Sequence, residues 1–399
     1  MLRDALRGKT VVDFTHIGAG PQCTMLLADM GARVIKVEPP EGDLGRMLGP
    51  PWIGTDSAVY HGFNRNKQDL CLDLKTEAGA AVARRLIEQA DILVESMRPG
   101  VMERLGLGYG RIAADNPGIV YCSVSAYGQT GPYAQRPGVD GILQADSGLM
   151  SIIGIPGGEP VKVQAPVVDV FTGYVAAMGV LARLLQRTAG GAGSHLDVSL
   201  FNSAIALQQV SLTSFMADGL LPQLMGSAAP YSAPNEAFET ADGWIMVAAY
   251  NGQRWDRLCD TLGCPELTHD PRFDTSAKRV ANRTDMRELL TQYFKTMPTA
   301  LWMEALQGAD ILCAPVANYQ TLADHPQLAA NGMVISLDHP AYGIIRAIGF
   351  PIDSAETNGS GHTVAPDRGR DSVKILREAG YSADEIEALV SQKIVRVSE

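Results

Sequence analysis

Several familiar signatures are missing from this chain. No histidine pair at H-x-x-x-H spacing, no C-x-x-C and no G-x-S-x-G elbow occurs in its 399 residues. Zinc and serine hydrolysis therefore lack the side chains they need. The six cysteines (Cys23, Cys71, Cys122, Cys259, Cys264, Cys313) are scattered, without disulfide or metal spacing, so a reducing cytoplasm is their simplest home. Basic residues are in deficit, 33 against 44 acidic, and the net charge of −11 speaks against nucleic acid as a partner. An anionic ligand must then be met by a local group of Lys and Arg. The opening MLRDALRGKT has no apolar signal core, and no charge-free apolar stretch reaches the ~18 residues expected of a membrane span. Neither a membrane partner nor a metal is expected, and no internal repeat or low-complexity tract is visible.

What is present suits a two-domain globular enzyme, with 46% hydrophobic and 19% charged residues. Over residues 1–125 short apolar runs alternate with helical patterns. Strands are expected at 10–15, 32–38, 70–74, 90–95 and 118–125, with helices at 20–30 and, after a Thr76 cap, at 77–89. This alternation predicts βαβ units and a mostly parallel sheet. A strand at 195–198 and a long helix at 200–216 follow. Near residues 218–234 the pattern dissolves into Gly, Pro, Ser and Ala, which reads as a linker. Beyond it come a hairpin over 237–250 turning at Asp242–Gly243, and helices at 254–262, 278–296 and 298–309. A strand at 313–318 and a helix at 321–329 complete a small α+β unit. Residues 353–371 read as loop, and 372–379 and 382–392 as terminal helices.

Residues 164–185 hold a single carboxylate, Asp169, in an otherwise apolar run whose only other charge is Arg183. Pro166, Val167 and Val168 read as an extended lead-in to a helix over 170–185, placing Asp169 at or beside the N-cap. Free N–H groups there are expected to keep the carboxylate ionised with little water around it, as a nucleophile requires. From these residues alone, a plain helix cap is the preferred reading. The Gly18–Cys23 turn after the first strand superficially resembles a dinucleotide-binding turn, but Cys23 stands at the third glycine position and Pro21 intrudes. His195 and Asp197 share a strand face, which could suggest a catalytic pair.

Six ordered segments resemble the class III coenzyme A transferase (CaiB/BaiF) family: residues 11–43, 63–79, 90–109 with RPGVMERLG, 121–151, the Asp169 run, and 193–204. The start of the small domain and the tail near 379–389 also match. The resemblance implies an α/β fold with a large Rossmann-like parallel-sheet domain, made by residues 1–220 and 331–399. A smaller α+β domain, 221–330, is inserted, and two chains interlock as a homodimer. It implies a CoA transferase with no permanently bound cofactor, moving coenzyme A from an acyl-CoA to a carboxylic acid through anhydride and thioester intermediates on Asp169. The positions matching CoA contacts are His16, Ile17, Leu72, Lys75, Arg98 and Arg104. For His195 and Asp197 the resemblance implies a structural strand instead of a catalytic pair. Gly18 and Val139 depart from the glutamine and tyrosine of formyl-CoA transferases, and the small domain lacks a run of four glycines, which argues against oxalate or formate specificity. The alternative is an α-methylacyl-CoA racemase-like isomerase, whose G-H-D motif is here Gly138-Val139-Asp140, one base short. Asp140 is expected to be a structural acceptor. Arg46, Arg136 and Tyr231 are candidate partners for a substrate carboxylate.

Overall fold

The computed structural model describes residues 2–359 and 361–398. The chain is mixed α/β and divides into two compact units, one holding the described residues of 1–150, 162–220 and 326–399, the other 151–161 and 221–325.

The larger unit is built on a seven-stranded sheet. In spatial order its strands are Val395–Arg396, Lys67–Leu72, Arg33–Glu38, Thr10–Phe14, Ile92–Glu95, Val120–Ser125 and Ser194–Ser199. Every pairing is parallel except that of the last strand in sequence, Val395–Arg396, against Leu72 and Cys71. Alternation along the strands sends Val12, Phe14, Ile35, Val37, Leu70 and Leu72 to one face. There they meet Val82, Leu86 and Ile87 of the Glu77–Glu88 helix and Ile375, Leu376 and Ile386 of the tail. Thr76 caps the Glu77–Glu88 helix by accepting the Gly79 N–H at 3.0 Å. The opposite face is covered by the wholly buried Ala19–Asp29 helix, with the Val167–Thr188 helix packed along it. Gly173 permits that packing: a Cβ there would lie 2.5 Å from Gln22 Cγ and 2.9 Å from Ala19 O.

By length and composition the Val167–Thr188 helix could cross a membrane. In this fold one side of it is spent on the Ala19–Asp29 helix and the sheet, burying Val168, Thr172, Ala176, Val180 and Leu184. Other boundaries moved for identifiable reasons. The long helix expected at 200–216 breaks into Leu200–Leu207 and Gln209–Asp218. At the break, Gln208 turns its side-chain amide onto Ala204 O and Ser147 O, both at 3.0 Å. The helix expected at 278–296 divides at Asn282, and the loop expected at 353–371 contains a short helix, Ser354–Thr357. An antiparallel hairpin, Val334–His339 with Gly343–Ile348, has no counterpart among the expected elements.

The smaller unit has its own three-stranded antiparallel sheet, ordered Leu312–Pro315, Trp244–Ala248, Asn235–Glu239. Phe238, Ile245 and Val247 from it meet Trp255, Phe273, Phe294 and Trp302 in a separate core. Arg279 is buried in this core with its guanidinium satisfied by three carbonyls, those of Ala233, Phe273 and Tyr250.

Candidate active site

In a parallel α/β sheet the loops that bind ligands leave the carboxyl ends of the strands. At that edge here lie the Thr15–Gly18 turn after the first strand, the Ser96–Gly100 loop after Ile92–Glu95, and Leu72 with the residues following it. His16 ties two of these loops together, its backbone N–H donating to Ser96 Oγ at 3.0 Å.

Asp169 lies on this turn. A Cβ built on Gly18 would stand 2.5 Å from Asp169 Oδ2 and 2.9 Å from Cγ, so the carboxylate rests against bare backbone. Any side chain at position 18 would displace it. Asp169 occupies the third residue of the Val167–Thr188 helix, whose N-cap is Pro166, so it sits inside the first turn and is not the cap. The capping falls to Asp140. Its Oδ2 accepts the N–H groups of Val168 (2.8 Å) and Asp169 (3.1 Å), and its Oδ1 is held by Gln144 Nε2 at 2.6 Å. Gln144 in turn pairs with both backbone groups of Val163. Asp140 is thus the structural acceptor its position implies.

This arrangement reverses the electrostatics expected from the sequence. The helix amides that should have favoured an ionised Asp169 are taken by another carboxylate. Among the described residues none hydrogen-bonds the Asp169 carboxylate. Burial, together with the neighbouring Asp140 charge, pushes its carboxyl up to about 7. The ionised form at neutral pH is consequently a more basic carboxylate than an ordinary aspartate, poorly solvated and free to attack.

Beneath the turn lies a buried ionic layer on the sheet face covered by the Ala19–Asp29 helix. Asp13 accepts from Thr15 Oγ1 (2.5 Å) and Thr24 Oγ1 (2.6 Å) and pairs with Lys67 Nζ at 3.1 Å. Lys36 pairs with Asp43 at 2.6 Å and donates to Thr15 O at 2.9 Å. Although burial pulls upward, the lysines and the two threonine hydroxyls hold the Asp13 carboxyl below its usual range. Lys36 in the apolar run ARVIKVE and Asp13 in VVDFT were the available signals, since a charge inside a buried strand requires a partner.

The other candidates fall into distinct groups. His16 and Ile17 are half-buried in the turn beside Gly18. Arg98 and Arg104 are exposed on the next loop and on the Val101–Arg104 helix. That loop is anchored by Glu95, which accepts the Met97 N–H at 2.7 Å and whose carboxyl burial pushes up to about 7. Lys75 is exposed two strands away, roughly 10 Å along the sheet edge. Leu72 is wholly buried in the core, backbone and side chain alike, and its strand is paired on both sides, so this structure offers a ligand no surface there. Arg46 does not face a substrate: it is buried with Glu38 (2.6 Å), Asp56 (2.6 Å), Tyr60 Oη and Pro366 O. Arg136 is exposed and stacks on Tyr133, and Tyr231 is exposed in the smaller unit. His195 is committed to structure, bonded to Ser123 Oγ at 2.9 Å and stacked on Tyr109. Asp197 accepts the Gln129 N–H.

The large unit is an α/β fold with a parallel sheet, and over its first turn lies a carboxylate that no described residue hydrogen-bonds. Comparison with known proteins makes the class specific. The model of CoA-transferase family III matches residues 6–372. A human succinyl-CoA:glutarate CoA-transferase is 34% identical over 98% of this chain and 90% of its own length. An acetyl-CoA:oxalate CoA-transferase from Acetobacter aceti is 38% identical over 82% of this chain and 85% of its own. The crystal structure of a CaiB/BaiF family protein from Brucella suis superimposes with a TM-score of 0.84 at 32% identity, covering 94% of this chain and 99% of that one. The chain belongs to CoA-transferase family III and is an enzyme of that class.

Proposed function

We propose that Asp169 is the nucleophile in a transfer of coenzyme A between two carboxylic acids. The observation that carries this reading is the Asp169 carboxylate itself: apposed to Gly18, without a hydrogen-bond partner among the described residues, and raised to about 7. Its oxygen attacks the acyl-CoA thioester carbonyl, forming a mixed anhydride and expelling CoA thiolate. The thiolate then attacks the aspartyl carbonyl, releasing the donor acid and leaving an aspartyl-CoA thioester. The acceptor carboxylate attacks that thioester, forming a second anhydride and freeing the thiolate again. Thiolate attack on the acceptor's acyl carbon gives the new acyl-CoA and restores Asp169. Each bond broken is replaced by one of similar energy, so no nucleotide hydrolysis is required, provided water is kept from the anhydrides.

On this reading the larger unit binds CoA. Lys75, Arg98 and Arg104 supply local cations for its phosphates, as an acidic protein requires, while the half-buried His16 and Ile17 line its path. The succinyl-CoA:glutarate relative is named for two small dicarboxylates and the Acetobacter enzyme for a dicarboxylate acceptor, and we assign the acceptor acid of this enzyme to that class. The oxalate enzyme among them shows that oxalate belongs in any substrate panel, despite Gly18 and Val139. A homodimer fits the apolar side chains left outside, Met178 and Leu185 on one helix and Val210 and Met216 on another, where every residue is at least partly exposed. A reducing cytoplasm fits six free thiols. The racemase alternative requires a second base beside Asp169; Val139 carries no proton, and Asp140 is occupied by the helix amides.

The test is mass spectrometry after mixing the enzyme with a panel of acyl-CoAs, followed by hydroxylamine. A CoA adduct or hydroxamate on the Asp169 peptide is expected, and the acyl-CoA that produces it identifies the donor. Tight CoA binding without an adduct from any donor would sink the covalent route.

A further inference from the structure

The backbone beneath Asp169 is strained. Ile17, a β-branched residue, has φ +70, in the left-handed region that such side chains avoid. Gly18 N–H donates to His16 O at 3.1 Å across it. The result is a γ-turn of the rare positive-φ form, which persists only when its surroundings impose it.

One buried ion pair grips this turn at two points. Asp43 Oδ1 accepts the Ile17 N–H at 3.0 Å, and Lys36 Nζ donates to Thr15 O at 2.9 Å. The two side chains meet each other at 2.6 Å, and both are essentially inaccessible to water. Asp43 is itself fixed, since Oδ1 also accepts Gly45 N–H at 2.7 Å and its backbone N–H donates to Glu38 Oε2 at 2.5 Å. Although burial pulls upward, the Lys36 ammonium and the nearby His16 hold the Asp43 carboxyl well below the usual range, so the clamp stays charged.

We propose that Asp43, ion-paired to Lys36, is a positioning residue that holds Ile17 in the left-handed conformation and thereby sets the Gly18 surface against which Asp169 is aligned for attack. Asp43 touches neither substrate nor the reacting carboxylate; it acts through the turn. The proposal rests on Asp169 being the nucleophile. Misplacing a reacting group by about 1 Å costs on the order of 100-fold in rate, and that is the scale expected when the clamp is released.

The experiment compares kcat and the acyl-CoA KM for native enzyme, Asp43→Ala, Asp43→Asn, Ile17→Gly and the two doubles with Ile17→Gly. Asp43→Ala should lower kcat by about 100-fold with KM changed by less than about threefold. Asp43→Asn keeps an acceptor for the Ile17 N–H and should recover about tenfold of that loss. Glycine adopts positive φ without restraint. Ile17→Gly should therefore raise kcat by several-fold in the Asp43→Ala background while lowering it in the native one. That change of sign separates positioning from a merely structural role. A folded Asp43→Ala enzyme with kcat within threefold of native overturns the proposal, as does an Ile17→Gly effect that is the same in both backgrounds. If Asp43→Ala does not fold, the Asp43→Asn pair gives the same comparison. Amide hydrogen exchange of residues 15–18 reads the clamp independently of turnover: it should quicken in the Asp43 variants. Failure of the nucleophile reading would show separately, as absence of any Asp169 adduct in the native enzyme.

Discussion

Asp169 and Asp43 are both carboxylates drawn away from bulk water within the same unit, yet one is pushed up to about 7 and the other held far below the ordinary range. Asp43 has an ammonium at 2.6 Å and two backbone N–H donors. Asp169 has no such partner among the described residues, and its nearest charged neighbour is a carboxylate whose own lone pairs have taken the helix amides. Burial opposes ionisation in both cases. Partners decide the outcome, and the carboxylate proposed as the nucleophile is the one denied them.

The largest test of this contrast removes the carboxylate proposed as the nucleophile. Asp169→Asn should lower kcat by about 10⁴-fold or more, measured as CoA transfer between acids. It should also stabilise the enzyme in a pH-dependent way. A carboxyl raised from 3.8 to about 7 favours unfolding as pH climbs through that interval and has no effect below it. The variant's melting temperature should therefore exceed that of the native enzyme by a few degrees at pH 8, roughly 2–4 °C, and match it at pH 4. Equal melting temperatures at both pH values would contradict a raised carboxyl.

Next in size is a break in the structural layer. Lys67→Met leaves Asp13 charged and buried with one cation fewer, at a cost of about 3–5 kcal/mol read by denaturant unfolding. Where Asp169→Asn costs turnover and gains stability, Lys67→Met should cost stability first. Smaller again, Gly18→Ala inserts a Cβ at 2.5 Å from Asp169 Oδ2. It should lower kcat by roughly 10–100-fold through displacement of the carboxylate, with little change in the acyl-CoA KM. The finest test concerns pH. On the proposed mechanism activity requires the ionised carboxylate, so kcat/KM should fall on the acid side with an apparent pKa of about 7. Asp140→Asn removes the like charge and should move that limb to lower pH by about half a unit. An unmoved limb would assign it to another group, with Glu95, also near 7, the first to check.

Much of the large sheet is legible along the chain. Runs such as TVVDF and ILVE place apolar residues on both faces, as buried parallel strands do, and caps such as Thr76 mark helix starts. Less legible are elements whose existence depends on distant partners. In the hairpin Val334–His339 and Gly343–Ile348 the second strand leaves Ile344 and Ile348 exposed, so its alternation is weak, and Val395–Arg396 is only two residues long. Position 169 stands out in sequence because a carboxylate in an apolar helix is conspicuous. Its charge state does not, because the expectation of a favourable helix terminus overlooked Asp140, 29 residues earlier. Arg46 misleads for the same reason: an arginine in a loop reads as available until Glu38, Asp56 and Tyr60 are seen around it.

By itself, then, the sequence determines the alternation of strand and helix, the glycine at 18 and the lone carboxylate at 169, since these are properties of local pattern and residue type. Tertiary structure decides which charges are paired. It brings Asp140 onto the helix amides ahead of Asp169 and Lys36 onto Asp43 beneath Ile17. Coulombic and hydrogen-bond energies depend on distance and burial in space, and neither can be read from separation along the chain.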